Sequence, residues 1–221
     1  MKLTTQKINE LLGVDDAYKA PEALMNILLN RDKREIVFNK FLQIESDLSF
    51  DWFHYYFQDE HADRKVKKQD FTPNSIGDLL SRLAGTGPGA THDVAAGTGG
   101  LTIKKWQSDR NSIGFFIYKP SMTFYELEEL SDRAIPFLIF NLAIRGMNAT
   151  IVHGDSLDRK IKQIYFLQNS KDDMLAFSDV NVMPHSDLVT REFHVREWLE
   201  EPIDHIESSL MTYLLPSEED A

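Results

Sequence analysis

Three carboxylates at similar intervals, the first beside a cluster of glycines, are the residues of this sequence best suited to hold a small polar ligand. Residues 93–100 read DVAAGTGG: Asp93, then Val94, Ala95 and Ala96, then Gly97, Thr98, Gly99 and Gly100. Glu126 and Asp155 follow at steps of about thirty residues, the length of a strand–helix–strand unit. The spacing predicts three successive strands, each ending in an acid, with a helix between each pair. In a parallel sheet those ends share one edge, and ligands bind in the crevice there. Glycines let the backbone turn sharply and approach a ligand closely. The loop is neither a Walker cradle nor a full G-x-G-x-x-G, because no G-x-x-x-x-G-K-[ST] is present and residue 102 is Thr. An acid before the glycines suits an ammonium group, one at the end of the second strand a ribose diol, and a third an adenine amine. A ligand with an amino acid at one end and adenosine at the other is S-adenosyl-L-methionine. A glycine-rich structural turn beside surface acids would read the same way, and spacing alone does not choose between the two.

The elements that must position these groups follow from periodicity. Residues 1 to about 65 read as helical. Pro21 suits a first helical turn, and Ile36, Val37, Phe41 and Ile44 fall at helical spacing. The aromatic run DWFHYYF at 51–57 reads as core or as a docking face, with a base-stacking platform as the alternative. The charged stretch HADRKVKKQD at 61–70 reads as a linker. Beyond it come a helix from residue 71 to Gly85, a strand ending at Asp93, and a helix from Gly100. A strand over MTFYELEEL follows, then a helix capped by Ser131 and closed by Gly146. Strands are expected over ATIVHGD, KQIYFLQN and SDVNVMP, and one or two helices from residue 191 onward.

Composition narrows the classes. The chain of 221 residues is 42% hydrophobic, enough for a real core, and has no cysteine for disulfides, thiolate metal sites or thiol nucleophiles. No metal is expected, since the histidines show no H-E-x-x-H or comparable spacing. No apolar stretch reaches the roughly twenty residues that span a bilayer, and the polar N-terminus is no signal peptide, so a cytoplasmic protein without membrane contact is expected. The net charge of −11 argues against direct DNA binding except through a local basic patch or a basic partner. The basic candidates Arg64, Lys65, Lys67 and Lys68, and Lys104 and Lys105, read first as solvated charged faces.

DFTP, then DVAAGTGGLTI, then YELEELSDRAIPFLIFNLAIRG, then VHGDSL, in that order, resemble the N6-adenine DNA methyltransferases. The closest resemblance is to the modification (M) subunit of type I restriction systems, and it covers about residues 70 to 156. It implies an α/β fold: a helical N-terminal domain over residues 1–65, then a Rossmann-like S-adenosylmethionine-dependent methyltransferase domain with C-terminal helices over 66–221. It also assigns cofactor residues. Phe71, Thr72 and Pro73 match the T-P element at the methionine end. Asp93, Ala95, Gly97, Thr98, Gly99 and Gly100 lie in the cofactor loop, where Val94 and Ala96 replace the usual Pro and Cys. Glu126 matches the ribose-binding acid, with Glu128 as the less favoured register, and Asp155 matches the acid beside adenine.

The family's catalytic motif, [N/D]-P-P-[F/Y], is absent. In that motif two carbonyls accept the hydrogens of the adenine amine and localise its lone pair, while the aromatic residue stacks on the flipped base. FSDVNVMPHS occupies its place, with Met183, Pro184, His185 and Ser186 at the motif itself and Asn181 two positions early. Asn181, Pro184 and His185 are the nearest catalytic candidates. Two functions compete: a DNA adenine methyltransferase that takes DNA recognition from a partner subunit, and an inactive cofactor-binding relative acting on a protein partner as regulator or decoy. A protein partner or a homo-oligomer is expected in either case. A small-molecule methyltransferase is the weaker third reading.

Overall fold

The computed structural model describes residues 2–60 and 85–208. Phe71, Thr72 and Pro73 lie outside the described residues, as do most of the helix expected from residue 71 and the basic cluster at 64–68.

Four helices open the chain. Helix α1, Thr5–Leu12, is capped by the Thr4 side chain and closed by Gly13 in the left-handed region. Helix α2, Ala20–Leu28, carries Pro21 in its first turn. Helix α3, Arg31–Ile44, starts where the Asn30 side chain accepts from the Lys33 amide. Its buried stripe is Arg34, Val37, Phe38 and Phe41. Ile36, expected on that stripe, is 56% exposed, because the helix is rotated by about one position from the expected face. Helix α4 is His54–Glu60.

Strand β1, Gly89–Asp93, leads through helix α5, Gly100–Ile113, to strand β2, Thr123–Glu129. Helix α6, Ile135–Ala143, then leads to strand β3, Ala149–Asp155. These three strands are parallel neighbours in the order β1-β2-β3. After β3 the chain does not cross over again. A short turn returns it as β4, Lys160–Gln168, antiparallel to β3, and β5, Asp179–Val182, is antiparallel to β4. A short helix, α7, Asp187–Glu192, precedes strand β6, Glu197–Trp198, which pairs parallel with the start of β4. The protein is therefore α/β with a mixed, mostly parallel six-stranded sheet.

One face of the sheet carries Tyr125, Leu127, Ala149, Ile151, Tyr165, Leu167, Val180 and Val182 into a core shared with the N-terminal helices. Helix α6 is buried on every side, so it lies between the sheet and those helices. The Phe140 ring of α6 sits 4.7 Å from Phe38, 4.8 Å from Phe41 and 5.0 Å from Phe53, centroid to centroid. Trp52, Phe53, Tyr56 and Phe57 of the aromatic run belong to this core. The opposite face is covered in part by Met183, Val189 and Val195, which pack on Val152, Ile161 and Ile164.

From Leu199 to Ser208 the described chain is not helical, contrary to the helices expected there. This segment is a strap along β5: the Val182 amide donates to the His205 carbonyl (2.8 Å), and the Asn181 Oδ1 accepts from the Glu207 and Ser208 amides (2.7 and 2.8 Å). Arg34 of α3 reaches the strap with a two-pronged contact to Glu207 (2.9 and 2.5 Å). Among the described residues, no helix is long and apolar enough to cross a membrane.

Candidate functional site

At the end of β1, Asp93 Oδ1 accepts from the Ala95 amide (3.1 Å), and the chain enters the glycine loop. The loop is tied to the neighbouring strand end twice. The Ala96 amide donates to the Glu128 carbonyl (3.0 Å), and the Gly97 amide to Glu129 Oε2 (2.7 Å). Gly97 and Gly99 have φ of 57° and 92°, the left-handed region that side chains disfavour. Gly99 is also the N-cap of α5, and a Cβ there would stand 2.9 Å from Leu138 Cδ1. The fourteen-residue helix therefore begins directly at the loop, with its positive dipole end at the sheet edge.

Strand β2 ends at Glu129, one residue past the expected acidic pair of Glu126 and Glu128 and three past Glu126 itself. Glu126 is a mid-strand residue between His92 and Thr150, exposed, and on the sheet face opposite Leu127. It does not lie at the edge, which corrects the register read from the thirty-residue spacing. Alternation puts Glu128 on the same face as Glu126 and Glu129 on the other. The Glu128 carboxylate is occupied by Arg159 Nη1 (2.7 Å) and approached by His92 Nε2 (3.3 Å). The acid at the strand end is Glu129, whose two oxygens accept from the Gly97 and Ser131 amides (2.7 Å each). Sequence reasoning missed it. The available signal was its place just before Ser131, which accepts from the Ala134 amide ahead of α6.

Asp155 does end β3. Its Oδ1 accepts from the Leu157 and Asp158 amides (2.8 and 3.0 Å), and these two bonds hold its carboxyl below the usual range. Each acid has an exposed apolar side chain close after it: Val94 is 56% exposed, Leu130 62% and Leu157 87%. The C-terminal edge of the three parallel strands thus bears Asp93, Glu129 and Asp155, each followed closely in sequence by an exposed apolar side chain.

The residues after β5 are not brought to this loop. β5 lies four strands from β1, roughly 19 Å at ordinary strand spacing. Asn181 is fully buried, and its amide donates to the Phe166 carbonyl and Ser208 Oγ (3.0 Å each). Pro184 is half-buried, and His185 stacks on Trp198 at 3.7 Å, 3.3 Å from Gln163 Oε1. Met183 is core.

Two further features lie near or beyond the edge. A cavity of about 220 Å³ lined by residues 85–91 and Lys105 runs along β1 from its N-terminal end, away from the acids. His153, one residue before Gly154 on β3, is buried and bonds Asp132 Oδ1 through Nε2 (2.8 Å), while its Nδ1 has no partner among the described residues. Burial pushes its pKa down, outweighing the attraction of Asp132. The folded imidazole therefore resists a proton that the unfolded chain takes up below about pH 6.5. Stability is expected to fall as pH drops through that value, and to fall less in His153→Gln. Urea midpoints of both proteins between neutral pH and mild acid check this, and parallel curves would refute it. Among the described residues, no group of three His, Asp or Glu side chains is placed to hold a metal ion.

Compared with protein-family models, curated proteins and solved structures, the chain matches none.

Proposed function

We propose that the chain binds S-adenosyl-L-methionine, or its demethylated product, along the C-terminal edge of β1, β2 and β3, as a relative of the N6-adenine DNA methyltransferases of restriction–modification type. One observation carries the reading: three parallel strands end in Asp93, Glu129 and Asp155, and an exposed Val94, Leu130 or Leu157 follows each. The donor set fits the ligand. Asp93 suits its ammonium group, Glu129 the ribose diol and Asp155 the adenine amine, while the apolar side chains suit the faces of the ring. Gly97, where an added Cβ would meet nothing within 4 Å, leaves room for close approach. If the protein acts on DNA, a partner subunit supplies recognition, since the net charge is −11.

A second reading, an inactive relative working as a protein-binding regulator or decoy, is favoured by the state of Asn181. Its amide and carbonyl are both spent inside the fold, so it has nothing to offer an adenine amine.

Calorimetric titration with S-adenosylmethionine and S-adenosylhomocysteine tests the binding. Heat of binding is expected, weakened about tenfold in Glu129→Ala, the worth of one charge-assisted hydrogen bond. Glu126→Ala should leave it unchanged. No heat at millimolar ligand with folded protein would sink the proposal. Labelled methyl transfer to mixed-sequence DNA separates the two readings. The chain alone is expected to transfer none, and transfer restored by a partner protein would favour the enzyme.

A further inference from the structure

We infer that Asp51, in the segment between α3 and α4, is a positioning residue of the glycine loop, so that the N-terminal helices form part of the ligand site. The inference rests on the reading of that loop as the ligand loop. Thr98, between two left-handed glycines, turns its side chain inward and is 3% exposed. Its hydroxyl donates to Asp51 Oδ2. The other oxygen of Asp51 accepts from the Phe53 amide (2.8 Å) and from Asn141 Nδ2 of α6 (2.7 Å). Asn141 Nδ2 also donates to the Thr98 carbonyl (2.8 Å). Thr98 is thus held at both its hydroxyl and its carbonyl by two residues that hold each other.

Arg145, 2% exposed, completes the clamp. It bonds the Asn141 carbonyl (2.6 Å), and it holds the segment carrying Asp51 through the Leu48 and Phe50 carbonyls (2.8 and 2.5 Å). Elsewhere packing fixes the loop only at Ala96, which is buried, and at Gly99, which lies against Leu138; Val94 and Ala95 are exposed and Gly97 has no side chain. Thr98 thus adds a third anchor to a loop whose Gly97 amide is held by Glu129 (2.7 Å) and whose Gly99 amide is held by the Ala96 carbonyl (2.9 Å). A buried network with every member satisfied holds one geometry, and losing one member releases it. A displacement of the α3–α4 segment would reach the loop through Asp51, although the two lie 47 residues apart in sequence.

The test uses the full chain and the variants Asp51→Asn, Thr98→Val, Thr98→Ser and the double variant Asp51→Asn/Thr98→Val, all held well below their melting temperatures. S-adenosylhomocysteine affinity is read by calorimetry, and hydrogen exchange of the amides at 97–100 is read without ligand. Asp51→Asn and Thr98→Val should each weaken binding about tenfold and speed that exchange by a similar factor. Thr98→Ser, which keeps the hydroxyl, should recover most of both. The double variant should be no weaker than the worse single one, since both substitutions break the same bond. Normal affinity and normal exchange in Thr98→Val, or additive losses in the double variant, would overturn the inference. Should Asp51→Asn not fold, Thr98→Val against Thr98→Ser decides alone. If the unaltered protein binds no ligand, the proposed function fails, and hydrogen exchange by itself decides whether Asp51 sets the loop.

Discussion

Glu207→Ala should destabilise the protein by about 3–5 kcal/mol, the cost of leaving one buried charge without its partner. Arg34 is 1% exposed, and in the variant it would keep the Leu28 carbonyl as an acceptor but lose both oxygens of Glu207. The Val180 amide, which donates to Glu207 Oε2 (2.9 Å), would lose its acceptor too. In a chain of this length such a loss lowers the melting temperature by roughly 10 °C or more. Replacing both members by apolar residues, as in Arg34→Met/Glu207→Leu, should recover much of the loss, since no charge is then stranded. The pair also predicts a pH dependence. Burial raises the Glu207 pKa, but the bond to Arg34 and its charge outweigh burial, and the net shift is downward. Its contribution is therefore complete above the unfolded value of about 4.5 and is lost as pH falls through the lower folded value. Chemical denaturation of the three proteins at neutral and acidic pH checks both points. A Glu207→Ala loss under about 1 kcal/mol would mean that the strap contributes little to the fold.

Phe140→Ala is the second large effect, about 3–5 kcal/mol for emptying a buried ring's volume from a core. Phe140 is fully buried where α3, the α3–α4 segment and α6 converge, and its neighbours Phe38, Phe41 and Phe53 cannot all close on the space. The form of the transition matters as much as its midpoint. Because one core joins the N-terminal helices to the sheet, backbone circular dichroism and tryptophan fluorescence should shift together. Trp52 reports from the helical part and Trp106 from α5. Two separated transitions in the unaltered protein would show that the helices fold by themselves.

Much of the α/β plan was legible in local chemistry. The strand at 149–155, the helix from Gly100 and the early proline of α6 all stand where periodicity put them. Which glutamate ends β2 was not legible. A thirty-residue spacing tolerates a slip of several positions, and three glutamates crowd the end of β2; only the strand's end separates Glu129 from Glu126 and Glu128. The return of β4 was missed for a different reason. Asp155 and the four-residue turn 156–159 after it carry hairpin chemistry, but the strand–helix–strand spacing before them does not announce it. Asp51 lay beyond any motif because its role depends on a contact 47 residues away. Whether the three acids hold a ligand was legible only as chemistry and spacing.

The turn between β3 and β4 also bears on the order in which the molecule assembles. Its Asp155 side chain accepts from the Leu157 and Asp158 amides, and the Arg159 amide donates to the Asp155 carbonyl (2.8 Å), so the reversal can close using neighbours alone. Pairings between residues adjacent in sequence form on the microsecond scale, whereas parallel neighbours must first close a loop through a whole helix. The hairpin of β3 and β4 is thus the natural seed of the sheet, with β2 and then β1 docking against it once α6 and α5 have formed. By that order the glycine loop, which leans on Glu129, Asp51 and Asn141, is among the last parts to take its shape. A nascent chain would fix its glycine loop only after nearly everything else is in place.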